Sequence, residues 1–321
     1  MEQKRTLGFR LESEANKYTN NETLSSIDYC FSVFNISYST EIGAYMRKLA
    51  RGDWSKDASV SGRQNGTVSF SVDFHEHANA DAAPMYWTML RACAMQQNSN
   101  AGTGVWLTPN AIEDRNPASI EIVEREEGAT PRQKVVKLFG CAGNARLILD
   151  TVGNPYRVDF EFRGAIGSIS TRAYGSLITP ASFDTEAPSA VLCATINLFA
   201  TIQYLNSMTI DLGNVIEPFT DPSKCQGIDG YHIVDRNPIL ELDPDMRIPD
   251  DIDLHANQTS NTTGTLSVEV GRRMTVSAPA AQLVQTNNPA AREGHVTDQI
   301  RLELKRSSGN DELEFLQGSK T

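Results

Sequence analysis

The chain has 321 residues, 40% hydrophobic and 21% charged, with 29 basic against 40 acidic side chains and a net charge of −11. That length holds one large domain or two ordinary ones, and the apolar share excludes wholesale disorder, collagen, coiled-coil and disulfide-scaffold classes. The carboxylate surplus excludes general binding to a nucleic-acid backbone, which needs Lys and Arg to displace counterions.

Residues 1–14 are polar and charged and lack the apolar run of a signal peptide, so the chain is expected to fold where it is made. Residues 31–39 alternate as a strand, with Phe31, Val33, Ile36 and Tyr38 turned toward a core across a bulge. Residues 40–59 have weak periodicity and read as a long loop. In 67–74 the alternation is clean, with Val68, Phe70, Val72 and Phe74 on one side. Pro84 suits a first helical turn, and Tyr86, Met89, Leu90 and Cys93 recur at spacings of three and four residues. A helix over 85–96, laid against a sheet, is predicted.

Residues 120–124, 134–139, 145–149 and 157–162 read as further strands, with Gly140-x-x-Gly143-Asn144 as a turn between two of them. The longest apolar run, 187–202, is broken by Ser189, Thr195, Asn197 and Thr201, so it reads as buried strand and no helix is expected to span a membrane. Residues 217–230 form the second long loop, and strands at 266–270 and 300–305 close the pattern. Loops of this size are usually functional or partner-bound.

The pattern also repeats. Ile36 ends a strand that is followed by a long loop, Arg63 and a second strand; Ile210, Arg236 and the strand after it follow the same plan. Residues 157–163 echo 299–305. The expected fold is mainly β, with antiparallel strands in two related β-sandwich domains, 1–175 and 176–321, and at least one flanking helix.

Chemistry is sparse. The five cysteines, at 30, 93, 141, 193 and 225, are odd in number and form no C-x-x-C pair, so reduced and mostly buried thiols are expected. His75-Glu76-His77 puts two rings on one face of a strand end; a metal there needs another ligand, and a solvated strand end is the commoner reading. Glu124-Arg125-Glu126-Glu127 reads as a solvated edge that discourages strand pairing. No nucleophile elbow, zincin or Walker sequence occurs, so no catalytic, cofactor-binding or metal-ligating residue is assigned and no enzyme is expected.

The order of features resembles bacteriophage major tail (tail tube) proteins of long-tailed phages. The resemblance lies in Leu7-Gly-Phe-Arg-Leu-Glu-Ser-Glu14, the loop through Arg47 and Trp54, Val60-Ser-Gly-Arg63 and the strand from Thr67. It continues through the Pro84 helix with Leu90-Arg-Ala-Cys93, Gly143-Asn144 and Phe160-Glu-Phe162-Arg-Gly164. Ile210-Asp-Leu-Gly-Asn214, Val234-Asp-Arg236-Asn-Pro238 and Asn310-Asp-Glu-Leu-Glu-Phe315 complete it. Each motif is weak alone; their shared order over most of the chain carries the likeness.

The resemblance implies a structural virion protein, assembled in the bacterial host cytoplasm, whose rings stack into a hollow tail tube. Strands of neighbouring subunits would join into an inner β-barrel, and a duplicated chain would give trimeric rings with pseudo-sixfold symmetry. Implied partners are further copies of the chain, a tape measure protein, a tail terminator and distal tail or baseplate proteins, with DNA passing without adhering. Asp73, Glu161 and Glu303 are candidate lumen carboxylates, and a plain solvated outer face suits each equally well. The alternative is a non-viral β-sandwich module binding a sugar or protein through loops that hold Tyr45, Trp54, Phe219 and Tyr231.

Overall fold

The computed structural model describes residues 5–29, 32–46, 58–100, 104–111, 116–125, 132–150, 153–173, 195–246, 253–270, 273–292 and 295–318. The first half contains strands β1 (Arg5–Leu11), β2 (Val33–Tyr45) and β3 (Val60–Asp73), then helix α1 (Trp87–Ala92). Strands β4 (Met95–Asn100), β5 (Gly104–Pro109), β6 (Ala118–Arg125), β7 (Arg132–Leu149) and β8 (Arg157–Ala173) follow. The second half has β9 (Thr195–Leu198), β10 (Thr201–Ile202), β11 (Leu205–Asp211), β12 (Asn214–Thr220), β13 (Ile228–Arg236) and β14 (Ile239–Pro244). Helix α2 (Leu254–Thr259) precedes β15 (Thr263–Val270), β16 (Met274–Arg292), β17 (His295–Lys305) and β18 (Glu314–Gly318).

Among the described residues all pairings are antiparallel, and sixteen strands form one sheet, with β12 and β13 a separate ribbon. In the first half, β2 pairs with β3, β3 with β8, β8 with β7, and β7 with β6. In the second, β11 pairs with β14, β14 with β17, β17 with β16, and β16 with β15. The two strand sets therefore run in the same order, and a short helix sits between the second and third strand of each. They meet where β11 adds to β7, from Met208 opposite Leu149 to Asp211 opposite Arg146. Strand β18 ties them again by pairing with both β16 and β5.

Alternation explains the core. Val68, Phe70, Val72 and Phe74 are all buried, as are Phe160 and Phe162 on β8 and Leu302 and Leu304 on β17. Phe70 stacks on Phe160 and Phe162 at centroid distances of 5.5 and 5.9 Å. Burying each such ring contributes about 1.5–3 kcal/mol. The expected bulge in β2 is present between Phe34 and Ser37, with Asn35 at φ 55°. Val33, Ile36 and Tyr38 pack against the core, and Phe31 lies outside the described residues.

Four sequence expectations need correction. The helix covers only Trp87–Ala92, because Ala94 turns the chain at φ 62° and the polar run after it pairs with β5 as β4. Its expected inward residues, Tyr86, Met89, Leu90 and Cys93, are nonetheless buried. The two strands expected at 134–139 and 145–149 are one strand, β7, and the glycine-rich segment between them is a bulge. The expected loop at 217–230 is mostly hairpin, with strand through Thr220 and again from Ile228; bulges after Val215 and Phe219 hide its alternation. Likewise β2 and β3 extend to Tyr45 and Val60, and 47–57 lie outside the described residues. Of 187–202, residues 187–194 lie outside them too, and β9 and β10 account for most of the remainder.

The β7 bulge is built around Gly140, at φ 57°. Its N–H donates to Glu12 Oε1 at 2.7 Å, and the same buried carboxyl accepts from Ser119 Oγ at 2.9 Å and Tyr18 N–H at 2.7 Å. Burial pushes the Glu12 carboxyl above its ordinary range, only partly offset by these donors. A Cβ at position 140 would lie 2.8 Å from Gly230 Cα, where backbone meets backbone. Gly140→Ala is therefore expected to cost about 2 kcal/mol, from the left-handed backbone and the forced separation of β7 from β13. A urea unfolding midpoint unchanged by this substitution would contradict that account.

Candidate functional site

The side chains that alternate away from the core share one face of the sheet. On β8 these are Arg157, Asp159, Glu161 and Arg163; on β17 they are Arg301, Glu303 and Lys305. Arg146, Asp211 and Glu241 continue the face across β7, β11 and β14. It is a lattice of opposite charges. Arg146 meets Asp211 at 2.7 Å, Arg163 meets Glu161 at 3.0 Å, Arg157 meets Asp159 at 3.4 Å, and Arg301 lies 3.9 Å from Glu241. Lys305 pairs with Glu303 two residues away on the same strand. Such solvated pairs contribute at most about 1 kcal/mol each, so their effect is on the field of the face more than on stability.

This face is hollowed where β11, β14, β17 and β16 meet, in a concavity of about 450 Å³ lined by Thr209, Glu241, Asp243, Gln299 and Arg301 among others. Asp243 holds the strand there by accepting from the N–H groups of Asn206 and Ser207, at 3.1 and 2.7 Å. Of the three candidate lumen carboxylates, Glu161 and Glu303 stand on this face, each beside a cation. Salt-bridging to Lys305 holds the Glu303 carboxyl below its usual value. Asp73 sits at the end of β3 opposite Arg157 and is half-buried, and desolvation raises its carboxyl.

Two hairpins project from the sheet. The arm β12–β13 folds back over β7 and β8, where Ile228 and Tyr231 bury against Phe139, Ala142 and Ala165. Its turn reaches β3, with Gln64 N–H donating to Gln226 O at 3.1 Å. The β2–β3 hairpin instead leaves Ile42, Tyr45, Met46 and Val60 more than half exposed at its end. Of the four loop aromatics, Tyr45 is exposed, Phe219 stands edge-on to His232, Tyr231 is buried and Trp54 lies outside the described residues.

The histidine pair does not converge. Both residues lie past the end of β3, not within it. His75 is buried against Tyr86, with Nδ1 3.0 Å from the Asp73 carbonyl, and His77 engages Asn79. Among the described residues no group of three or more His, Cys, Asp or Glu is placed to hold a metal. Cys93 and Cys141 are buried thiols whose pKa burial pushes up, Cys225 is exposed, and Cys30 and Cys193 lie outside the described residues. Glu124 departs from the solvated-edge expectation. Its strand is paired on both sides, and Arg5, Tyr38 and Lys134 bind its carboxylate, which sits below its ordinary pKa despite burial. Among the described residues no helix is long and apolar enough to cross a membrane.

A smaller cavity, about 170 Å³, lies between the β12–β13 arm and the segments around Ala94 and Asn110, lined by Tyr18, Tyr231, Arg236 and Glu312 among others. Arg236 is already engaged by Glu312 at 2.7 Å and by the Ala94 carbonyl at 3.1 Å. No protein-family model matches the chain, and no curated protein does either.

The junction of the two strand sets has its own polar lock. Asp211 accepts from Asn144 Nδ2 at 2.7 Å, from Gly213 N–H at 2.8 Å and from Arg146. Asn214 N–H donates to Asn144 Oδ1 at 3.1 Å, and Asn214 Nδ2 donates to the carbonyls of Gly143 at 3.0 Å and Cys93 at 2.9 Å. Burial works to raise the Asp211 carboxyl, but these donors outweigh it and hold the group below its ordinary value. A depressed folded pKa stabilises fully above the ordinary Asp value of about 4, and that contribution drains away as pH falls through the lower folded value. Asp211→Ala is expected to lose about 1–2 kcal/mol at neutral pH and to flatten the acid limb of the stability curve. Denaturant titrations at pH 7 and pH 3 check both; equal losses at the two pH values would refute the linkage.

Proposed function

We propose that this protein is a structural subunit of a phage tail tube, whose copies form rings around a channel for DNA. The observation that carries the reading is the sheet itself: one face is apolar core, and the other, where the β12–β13 arm does not cover it, is polar, charge-paired and hollowed. Copies arranged with that face inward enclose a water-filled passage. Carboxylates alternating with Arg and Lys give such a wall no strong field of either sign, so a polyanion is neither bound nor driven off.

The repeated strand order supports reading 1–175 and 176–321 as two related units of β-sandwich type, and a ring of three chains would then present six similar lobes. The exposed end of the β2–β3 hairpin suits contact between stacked rings, where Ile42, Tyr45, Met46 and Val60 would leave water. The resemblance in sequence supplies the remaining partners: a tape measure protein inside the tube, and terminator and distal tail proteins at its ends. No catalytic step is assigned, and assembly belongs in the host cytoplasm. A sugar- or protein-binding module is the second reading, favoured by the 170 Å³ cavity, whose polar lining would have to release Arg236 to reach a ligand.

Electron microscopy of concentrated protein is expected to show rings or tubes with three chains and six lobes per ring. Six chains per ring would refute the duplication and keep the tube, whereas monomers at every concentration would favour the binding module. Replacing residues 46–59 by an Asn-Gly turn, which still allows Tyr45 to pair with Val60, is expected to leave folded protein that does not stack. Normal tubes from that variant would remove the stacking role of the hairpin.

A further inference from the structure

We propose that β2 of one copy adds to β16 of a second copy, in the register that β11 already takes on β7 within the chain. The inference rests on the ring-forming reading above and names its joint. It follows from carrying the correspondence between the two strand sets residue by residue. Glu161 on β8 lies between Asn144 and Ser69, as Glu303 on β17 lies between Gln282 and Ile239. Ser69 faces Ser37 and Ile239 faces Asp211, so Ser37 stands where Asp211 stands. Asp159 faces Arg146 and Arg301 faces Gln285, so Gln285 stands where Arg146 stands. By the same steps Val33 corresponds to Met208, and Thr286 to Leu147.

Inside the chain Asp211 pairs with Arg146 and Met208 with Leu149. The equivalent step between chains sets Ser37 opposite Gln285. Both edges suit it. Among the described residues β2 pairs only with β3, and the Ile36 carbonyl in its bulge accepts from Arg5 Nη1 at 2.8 Å. On β16, Gln258 Nε2 closes the edge at the Val284 carbonyl, 2.8 Å away. Beyond that point the described pairings of β16 are to β17 alone.

The occupant is fixed by exclusion and by chemistry. The matching edge of β7 is filled by β11, so a second copy's β2 finds its counterpart only on β16. The internal joint carries an ion pair, whereas the joint between copies sets a hydroxyl opposite an amide. It is therefore held by backbone hydrogen bonds and shape, and its strength should change little with salt.

The test uses the full chain with Cys225→Ser, assembled and then oxidised. Ser37→Cys with Gln285→Cys is expected to convert most of the monomer band into a ladder of disulfide-linked multimers. Ser37→Cys with Asn287→Cys, displaced along the strand, is expected to stay monomeric, since the sulfurs cannot meet. Hydrogen exchange on the unmodified protein needs no variant: amides in 33–37 and 285–288 should slow by roughly tenfold or more on assembly. Rings in the microscope with unlinked chains and unchanged exchange would overturn this joint and leave the ring-forming reading standing. No rings under any condition would overturn that reading and the joint with it.

Discussion

Strand β7 serves two partners in succession along one edge. Its first part pairs with β6 and its last four residues pair with β11, while β8 runs along the other edge almost throughout. A bulge at Gly140 lies between most of the β6 pairing and the β11 pairing, and Glu12 fixes it by accepting from the bulge amide. The left-handed glycine, the buried carboxyl and the close approach of Gly230 are three parts of one device. The β12–β13 arm seats against the same bulge, with Tyr231 and Ile228 on Phe139 and Ala142.

Alternation decides which face is wet. With the aromatic layer of Phe70, Phe160 and Phe162 on one side, alternation sends Glu161, Arg163, Arg146 and Asp211 to the other. The resulting wall is charged yet nearly self-neutralising. The chain's acidic surplus, read from composition alone, suggests a repulsive surface; the arrangement of these pairs gives a milder one. Composition counts charges, but partners set their effect.

Local pattern made much of this legible. The alternation from Val68 to Phe74 and the bulge after Phe34 are visible in the sequence because each depends on neighbours along the chain. Gly140-x-x-Gly143 was ambiguous for a physical reason: a turn and a bulge both need a left-handed residue, and only the partner strand distinguishes them. Residues 96–100, Gln-Gln-Asn-Ser-Asn, have little intrinsic preference for strand and become one by pairing with β5. The β7–β11 junction was not readable, since nothing in either segment names the other. The polar face was half legible: Glu161 and Glu303 could be nominated, but their cationic neighbours and the hollow beside them are facts of packing.

The junction between β7 and β11 lies within one polypeptide, with β8, β9 and β10 between its two sides. Its formation is therefore unimolecular. The cost of closing that loop rises only with the logarithm of its length, and the local concentration of β11 around β7 stays high however dilute the protein becomes. A contact of the same kind between separate molecules has no such protection and fails on dilution. In an assembly of the kind proposed, two sets of strands on one chain would make every second such contact permanent and leave half as many encounters to diffusion.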